Sequence, residues 1–240
     1  SFNTVQNAGS GLLAVITADQ GTIFQNDQIA SLTLTCDLYR ASEVLVNNVQ
    51  YNWGKRDMKV FAPTTATAAA NIGQNTITLA NVANVQAGSQ IRAAGVTYTA
   101  LSVNSTSKVV TLTSNLTAAV ASGAAVTSPH YDTTFGAGWA KISSDPYFNG
   151  ITGFNAKTLV IPNAAVLNLE VFKCLAKDNS TGASTSGQTA QAVETLNDMS
   201  DPIDLKIWSP DGDIIKNGSG TIQLTVDVRR GGELIDVAIQ

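Results

Sequence analysis

Residues Ser31–Arg40 read SLTLTCDLYR, and this stretch decides the fold class. Its apolar side chains alternate with polar ones and therefore share one side of an extended chain: Leu32, Leu34, Cys36 and Leu38. A period of two with one apolar side is typical of a half-buried β-strand. The stretch therefore predicts a strand that packs Leu and Cys side chains into a core.

The same pattern returns near the C-terminus. Residues 221–230 read TIQLTVDVRR, shifted by 190 residues from residues 31–40. The same shift relates residues 43–45 to residues 233–235. A repeat at a fixed shift indicates that one structural unit occurs twice. We therefore expect two copies of one β-module.

The second copy stops at Gln240, where the first copy continues into Tyr51, Asn52 and Trp53. These three residues are predicted to begin a core strand. A module that lacks this strand would have an open core. We therefore expect the sequence to be a piece of a longer chain, or a partner chain to supply the missing strands.

Cysteine and tryptophan positions indicate the type of module. Cys36 lies on the second predicted strand, Trp53 on the third and Cys174 on a later alternating strand. This order is a signal of the immunoglobulin fold. Phe172 stands two residues before the second cysteine, where many such domains carry a tyrosine whose hydroxyl makes a hydrogen bond. We expect Cys36, Trp53, Phe172 and Cys174 to form the structural core.

The distance between the cysteines predicts an insertion. They are 138 residues apart, too far for one sandwich of about 100 residues. Residues 60–128 account for the excess, because removing these 69 residues leaves 69 between the cysteines. The segment opens with an Ala/Thr-rich stretch and then shows five short strand patterns at close spacing, which suggests a small barrel. These patterns cover residues 76–79, 89–92, 96–100, 109–112 and 124–127.

The predicted architecture is all-β. An Ig-like β-sandwich formed by residues 1–59 and 129–200 is interrupted by a small β-barrel-like domain at residues 60–128. Residues 201–240 form the first strands of a second, incomplete Ig-like sandwich.

Composition excludes several function classes. The 240 residues carry a net charge of −4 and a pI near 4.9, whereas a nucleic-acid partner requires a basic face. No apolar run approaches the roughly 20 residues needed to span a bilayer. We expect neither a nucleic-acid partner nor a membrane span.

Residues for catalysis or metal binding are scarce. His130 is the only histidine, and its turn context favours a structural or solvent-exposed role over catalysis. One histidine and two distant cysteines cannot supply a usual zinc site. We therefore expect no catalytic residue, no metal and no cofactor. Trp139 is either a second core residue, the favoured interpretation, or an exposed carbohydrate platform, and with Tyr98 it is a candidate for surface contact.

Several segments together resemble the Ig-like domains of bacteriophage tail and tail-fibre proteins. The sandwich segments that carry this resemblance are residues 138–142, 158–162, 165–166 and 170–174. Residues 211–222 look like the opening strands of the same domain type. Residues 75–79, 85–91 and 95–99 are similar to small β-modules of phage virion proteins.

The resemblance implies a non-enzymatic virion protein, assembled in the host cytoplasm and located in the phage tail. Its expected partners are other virion proteins, further copies of itself, and a glycan or protein on the host surface. Because the cytoplasm is reducing, we expect Cys36 and Cys174 to be adjacent, buried, free thiols, with a disulfide as the alternative.

Two other functions fit the same pattern. One is a bacterial surface adhesin or stalk made of Ig-like repeats. The other is the accessory module of a polysaccharide-degrading enzyme, which a screen against capsule and cell-wall glycans would detect.

Overall fold

The computed structural model describes residues 11–25, 29–199, 203–210, 221–230 and 233–234. Within these residues the only helical segments are two single 3₁₀ turns, Pro146–Phe148 and Asn163–Ala165. The prediction of an all-β chain is confirmed.

The described strands, in chain order, are β1 (Leu12–Ala18), β2 (Ile23–Gln25), β3 (Ser31–Arg40), β4 (Glu43–Val44), β5 (Val49–Arg56), β6 (Thr64–Thr65), β7 (Thr76–Thr78), β8 (Gln90–Ala93), β9 (Val96–Asn104), β10 (Val109–Leu112), β11 (Ala125–Thr127), β12 (Trp139–Lys141), β13 (Thr158–Pro162), β14 (Leu169–Asp178), β15 (Thr189–Met199), β16 (Ile203–Trp208), β17 (Thr225–Arg230) and β18 (Glu233–Leu234).

Two sheets form the first sandwich. One has the order β1-β3-β13, with β4 paired to β3, and the other has the order β12-β5-β14-β15-β2. In immunoglobulin terms β1, β3 and β13 correspond to strands A, B and E, while β5, β14 and β15 correspond to C, F and G. Strand β2 leaves the first sheet and pairs in parallel with β15. The Ig-like architecture predicted from the cysteine and tryptophan spacing is confirmed.

Alternation along the strands explains this core. The side chains of β3 that face the second sheet are buried, and so are their counterparts on β5 and β14. Together they form one continuous apolar cluster between the sheets. Its largest fully buried members are Trp53, Phe148 and Phe172, with Leu32, Leu34 and Leu38.

The segment between β5 and β12 forms a sheet of its own, with the strand order β6-β11-β8-β9-β10-β7. A bridge between Ala66 and Leu79 joins the two ends of this order, so that the sheet curls into a small barrel. The barrel has a separate apolar cluster, which includes Ile77, Ile91 and Leu112. Six strands form where five were expected, because β6 arises within the Ala/Thr-rich stretch.

The two apolar clusters meet at consecutive residues. Val60 packs into the sandwich cluster, and Phe61 packs into the barrel cluster. The chain enters and leaves the barrel side by side, because Thr64 on β6 pairs with Val126 on β11. The domain limits at residues 60 and 128 stay predictions.

The C-terminal strands reproduce the beginning of the first sandwich. Strand β16 pairs antiparallel with β17, and β18 folds back on β17, as β1 and β4 do on β3. The pairing of Arg230 with Glu233 repeats that of Arg40 with Glu43 at the predicted shift of 190 residues.

The second copy departs from the expected strand limits in one respect. The strand expected over residues 221–230 begins only at Thr225, because β16 ends at Trp208, the residue that pairs with Thr225. The proposed opening strands at residues 211–220, and the repeat residues 235–240, lie outside the described residues.

Candidate functional site

The predicted core residues of the sandwich come together. Cys36, Trp53, Phe172 and Cys174 are all fully buried, and Cys174 lies directly across from Trp53 on the neighbouring strand. The indole nitrogen of Trp53 donates a hydrogen bond of 2.9 Å to the carbonyl oxygen of Ala156. Both cysteines are free. Burial and the neighbouring Cys36 sulfur raise the pKa of the Cys174 thiol, so that it stays protonated at neutral pH.

An ion pair closes one end of the apolar interior. Asp178 continues the inward row of β14, where its carboxylate is completely buried. Arg40 donates to it at 2.5 Å, and the Thr185 hydroxyl donates to the same oxygen at 2.6 Å. Burial would raise the pKa of Asp178, but hydrogen bonds from Ser180, Thr185 and Arg40 outweigh burial and lower it.

A second ion pair closes the opposite end. Lys55 lies 3.2 Å from Glu170 and donates a 2.9 Å hydrogen bond to the carbonyl oxygen of Ala165. Neither Asp178 nor Glu170 was among the residues that the sequence pattern singled out. The alternation of side chains along β14 is the signal that could have found them, since both lie in the inward row that contains Phe172 and Cys174.

The junction between sandwich and barrel is held by hydrogen bonds. The amide of Asp57 donates a 3.0 Å hydrogen bond to the carbonyl oxygen of Gly138. The amide of Gly138 in turn donates a 2.8 Å hydrogen bond to the carbonyl oxygen of Val60. The hydroxyl of Ser89, a completely buried barrel residue, donates to the carbonyl oxygen of Lys59 at 2.9 Å. The barrel is therefore fastened to the sandwich where the chain crosses between them.

His130 lies in this junction. Its ring is buried and stacks on Tyr147, with 4.3 Å between the ring centroids. Its Nε2 lies 3.2 Å from Oε1 of the barrel residue Gln90, while the Tyr147 hydroxyl donates to Asp57. Burial lowers the pKa of His130. The negative charges of Asp145 and Asp57 act to raise this pKa, but burial outweighs them. The geometry favours the structural role that the sequence predicted.

The segment that leaves the barrel covers part of the outer face of the five-stranded sheet. Phe135 lies over Gly54 so closely that a Cβ at Gly54 would lie 2.6 Å from the phenyl ring. Next to it, Trp139 is half-buried on the edge strand β12, and the ammonium of Lys173 lies 3.8 Å from the centre of an indole ring. Trp139 is therefore neither a core residue nor an uncovered platform.

Tyr98 corrects a sequence-based expectation. Its side chain was a candidate for surface contact, yet only 4% of it is exposed, and it belongs to the barrel core. Its hydroxyl lies 3.2 Å from Oγ1 of Thr117 and accepts a hydrogen bond from the Thr117 amide. The ring is buried because Tyr98 follows the inward alternation of β9, so surface contact through Tyr98 is wrong.

A cleft of about 270 Å³ opens on the same outer sheet face. Its floor and walls include Gln50 and Asn52 on β5, Leu175 and Lys177 on β14, and Lys141 on β12. Hydroxyl groups of Thr134 and Thr189 complete the polar lining, together with the carboxylate of Asp132. We define these eight residues as the sheet-face cleft.

The carboxylate of Asp132 already accepts hydrogen bonds from residues of the cleft wall. Lys141 donates to one of its oxygens at 3.0 Å, and the Thr134 amide donates to the other at 2.8 Å. Burial would raise the pKa of Asp132, but the hydrogen bonds from Thr134 and Lys141, with the charge of Lys141, lower it. Asp132 thus stays ionised and neutralises Lys141, whereas Lys177 makes no ion pair within the described part of the chain.

The described residues contain neither a metal-binding cluster nor a membrane-spanning helix. No three His, Cys, Asp or Glu side chains lie close enough together to hold a metal ion. Among the same residues, no helix has the length and apolar character needed to cross a bilayer.

Comparisons of the chain with protein-family models, curated proteins and solved structures found no match.

Proposed function

We propose that this chain is a non-enzymatic structural and binding component of a bacteriophage tail. It serves as a stiff modular spacer, and its barrel and sheet faces contact other virion proteins, further copies of the chain or the host surface. The sequence resemblance to Ig-like tail domains supports the assignment to a phage tail. The confirmed Ig-like architecture is compatible with it but occurs in many proteins of other function.

The observation that carries the proposed mechanical role is the fastened junction. A flexible tether would be a Gly- or Ser-rich segment that makes few contacts. Here the chain crosses between the two cores from Val60 to Phe61 without a spacer, and Ser89 and Gln90 of the barrel reach back to Lys59 and His130. A barrel held in this way presents its loops in a defined direction, which suits a repeated virion part.

The environment of His130 supports a role without catalysis. In a site of the Ser-His-Asp type, the histidine lies within hydrogen-bonding distance of a hydroxyl or thiol nucleophile and of an orienting carboxylate. The hydrogen-bond partner of the His130 Nε2 is the amide of Gln90, and Tyr147 covers a face of the ring. These contacts give the His130 side chain a packing role in the junction.

Immunogold labelling of purified virions tests whether the chain is part of a phage tail. Antibodies raised against the full chain should label the tails of phage particles from the source culture, and peptides of the chain should co-purify with intact tails. Labelling of the envelope of uninfected bacteria instead would overturn the proposal in favour of a surface adhesin. Release of reducing ends from capsule or cell-wall polysaccharide by the purified chain would contradict the non-enzymatic role.

A further inference from the structure

We infer that the sheet-face cleft is a binding site for an acidic, carboxylate-bearing saccharide. The inference deepens the proposed function by assigning a ligand class to one surface of the chain. It depends on that proposal only for the biological source of the ligand.

Charge is the first argument. Arg56, Lys173 and Lys177 lie on the outward rows of β5 and β14, and none of them makes an ion pair within the described residues. The nearby carboxylate, Asp132, is already neutralised by Lys141. This face therefore carries uncompensated positive charge on a protein whose net charge is −4.

Within the cleft itself, Lys177 is the cation that remains for a bound carboxylate. Lys141 is already paired with Asp132, whereas Arg56 and Lys173 lie on the same sheet face outside the eight cleft residues. Their charges add to the positive potential of this face, and the ammonium of Lys173 lies against the ring of Trp139.

The lining of the cleft argues for a saccharide. Amide groups of Gln50 and Asn52 and hydroxyls of Thr134 and Thr189 supply both hydrogen-bond donors and acceptors. A ligand rich in hydroxyl groups can pair with all four side chains. A volume of about 270 Å³ lies near the lower limit for small-molecule sites, which suits one or two sugar rings.

Backbone pairing argues against an extended acidic peptide. Peptides that bind sheets usually add a strand at an edge, where backbone groups are unpaired. The centre of the cleft lies over β14, whose residues Leu175 and Lys177 pair with β5 on one side and with β15 on the other. At its centre the cleft therefore offers side chains and no backbone edge.

Binding of defined oligosaccharides by the full chain tests the inference. The probes are oligomers of galacturonate, alginate and polysialate, each compared with its methyl ester, which keeps the sugar and removes the charge. We expect at least one acid form to bind, with an affinity that falls as salt is added. Its ester should bind at least tenfold more weakly. Poly-glutamate of matched charge should bind more weakly than the saccharide.

Lys177→Gln removes one charge from the cleft and keeps a polar side chain that is shorter by one bond. Because a charge-assisted hydrogen bond to the ligand is lost, we expect roughly tenfold weaker binding of the acid form, which corresponds to about 1.4 kcal/mol. The matched control is Lys206→Gln, an exposed lysine on β16, which should leave affinity unchanged. Thermal unfolding of both variants should match that of the parent.

Several outcomes would overturn the inference. They are no binding by any acid form, equal binding of an acid and its ester, stronger binding of poly-glutamate, or equal effects of the two lysine variants. Saccharide binding without virion labelling would contradict the proposed phage-tail role and support the binding site. Labelled tails without saccharide binding would support the phage-tail role and contradict the binding site.

Discussion

At the scale of single residues, buried polar groups hold the ends of the sandwich. The interior between the sheets is apolar along most of its length, and ion pairs stand where it meets solvent. Breaking a buried pair by removing one partner is costly, because the other charge loses its compensation. The Arg40–Asp178 pair should therefore contribute more than ion pairs on the surface.

Asp178→Asn should lower the free energy of unfolding by about 3 kcal/mol at pH 7. The matched control is Asp37→Asn, whose partner Lys157 is 40% exposed, so that its loss should cost no more than about 1 kcal/mol. Denaturant unfolding of the three proteins measures both values. Equal losses in the two variants would contradict the special role of Asp178.

The same pair predicts a pH dependence. Because the folded-state pKa of Asp178 lies below its unfolded value near 3.9, its contribution is present above about pH 4 and is lost as pH falls below it. The stability difference between the parent and Asp178→Asn should therefore shrink between pH 5 and pH 2. A constant difference over this range would show that Asp178 is not the titrating group.

Cys36 and Cys174 give the third prediction at this scale. Without reductant, the native protein should react very slowly with a thiol reagent, because both sulfurs are buried and the pKa of Cys174 is raised. After denaturation, two thiols per chain should react. No reactive thiol after denaturation would show a disulfide instead.

At the scale of elements, close backbone approaches fix how loops meet strands. Gly153 has a φ of +79°, and a Cβ there would lie 2.2 Å from the carbonyl oxygen of Thr158, at the start of β13. This approach allows Thr152 to bridge to Val160. Glycine is required here by both the backbone conformation and the lack of space.

Gly153→Ala should destabilise the protein by about 3 kcal/mol, because the backbone of β13 must move to relieve the contact. Gly182→Ala is the matched control, since its φ of +76° is similar but no atom lies within 4 Å of the added Cβ. That variant should lose only about 1 kcal/mol. Thermal or denaturant unfolding compares the two, and similar losses would show that the contact does not matter.

Much of the element scale could be predicted from the sequence. Strict alternation over Ser31–Arg40 predicts a strand and its buried side, and the repeat anticipates the pairing of β17 with β18. Strand β6 was missed because two residues among Ala and Thr show no period, and their pairing depends on the distant β11. The sheet-face cleft was missed for a similar reason, since its residues come from four strands and one loop.

At the scale of the whole molecule, two apolar cores are joined by a short crossing. Because the chain enters and leaves the barrel at paired strands, the barrel can be removed without stretching the sandwich. The junction contributes few contacts compared with either core. Each unit should therefore fold without the other.

Replacing residues 61–127 with a Gly-Ser linker of about six residues, which spans roughly 13 Å, should leave a folded sandwich. Its free energy of unfolding should fall by about 2 kcal/mol, because the hydrogen bonds of Ser89 with Lys59 and of Gln90 with His130 are lost. Circular dichroism and denaturant unfolding measure this, with protection of both cysteines from thiol reagents as a check of core packing. An unfolded variant would show that the sandwich needs the barrel.

The parallel pairing of β2 with β15 has a consequence for a chain held under tension. An outside pull on the two ends of this sandwich acts on β1 and β15 first, and it acts on the N-terminal end of β2 once β1 has separated from β3. In a parallel pair, such a pull slides one strand along the other and loads the bonds from Ile23 to Gln25 together. After β1 is released, resistance to extension should therefore come from shear across these few residues of β2 and β15.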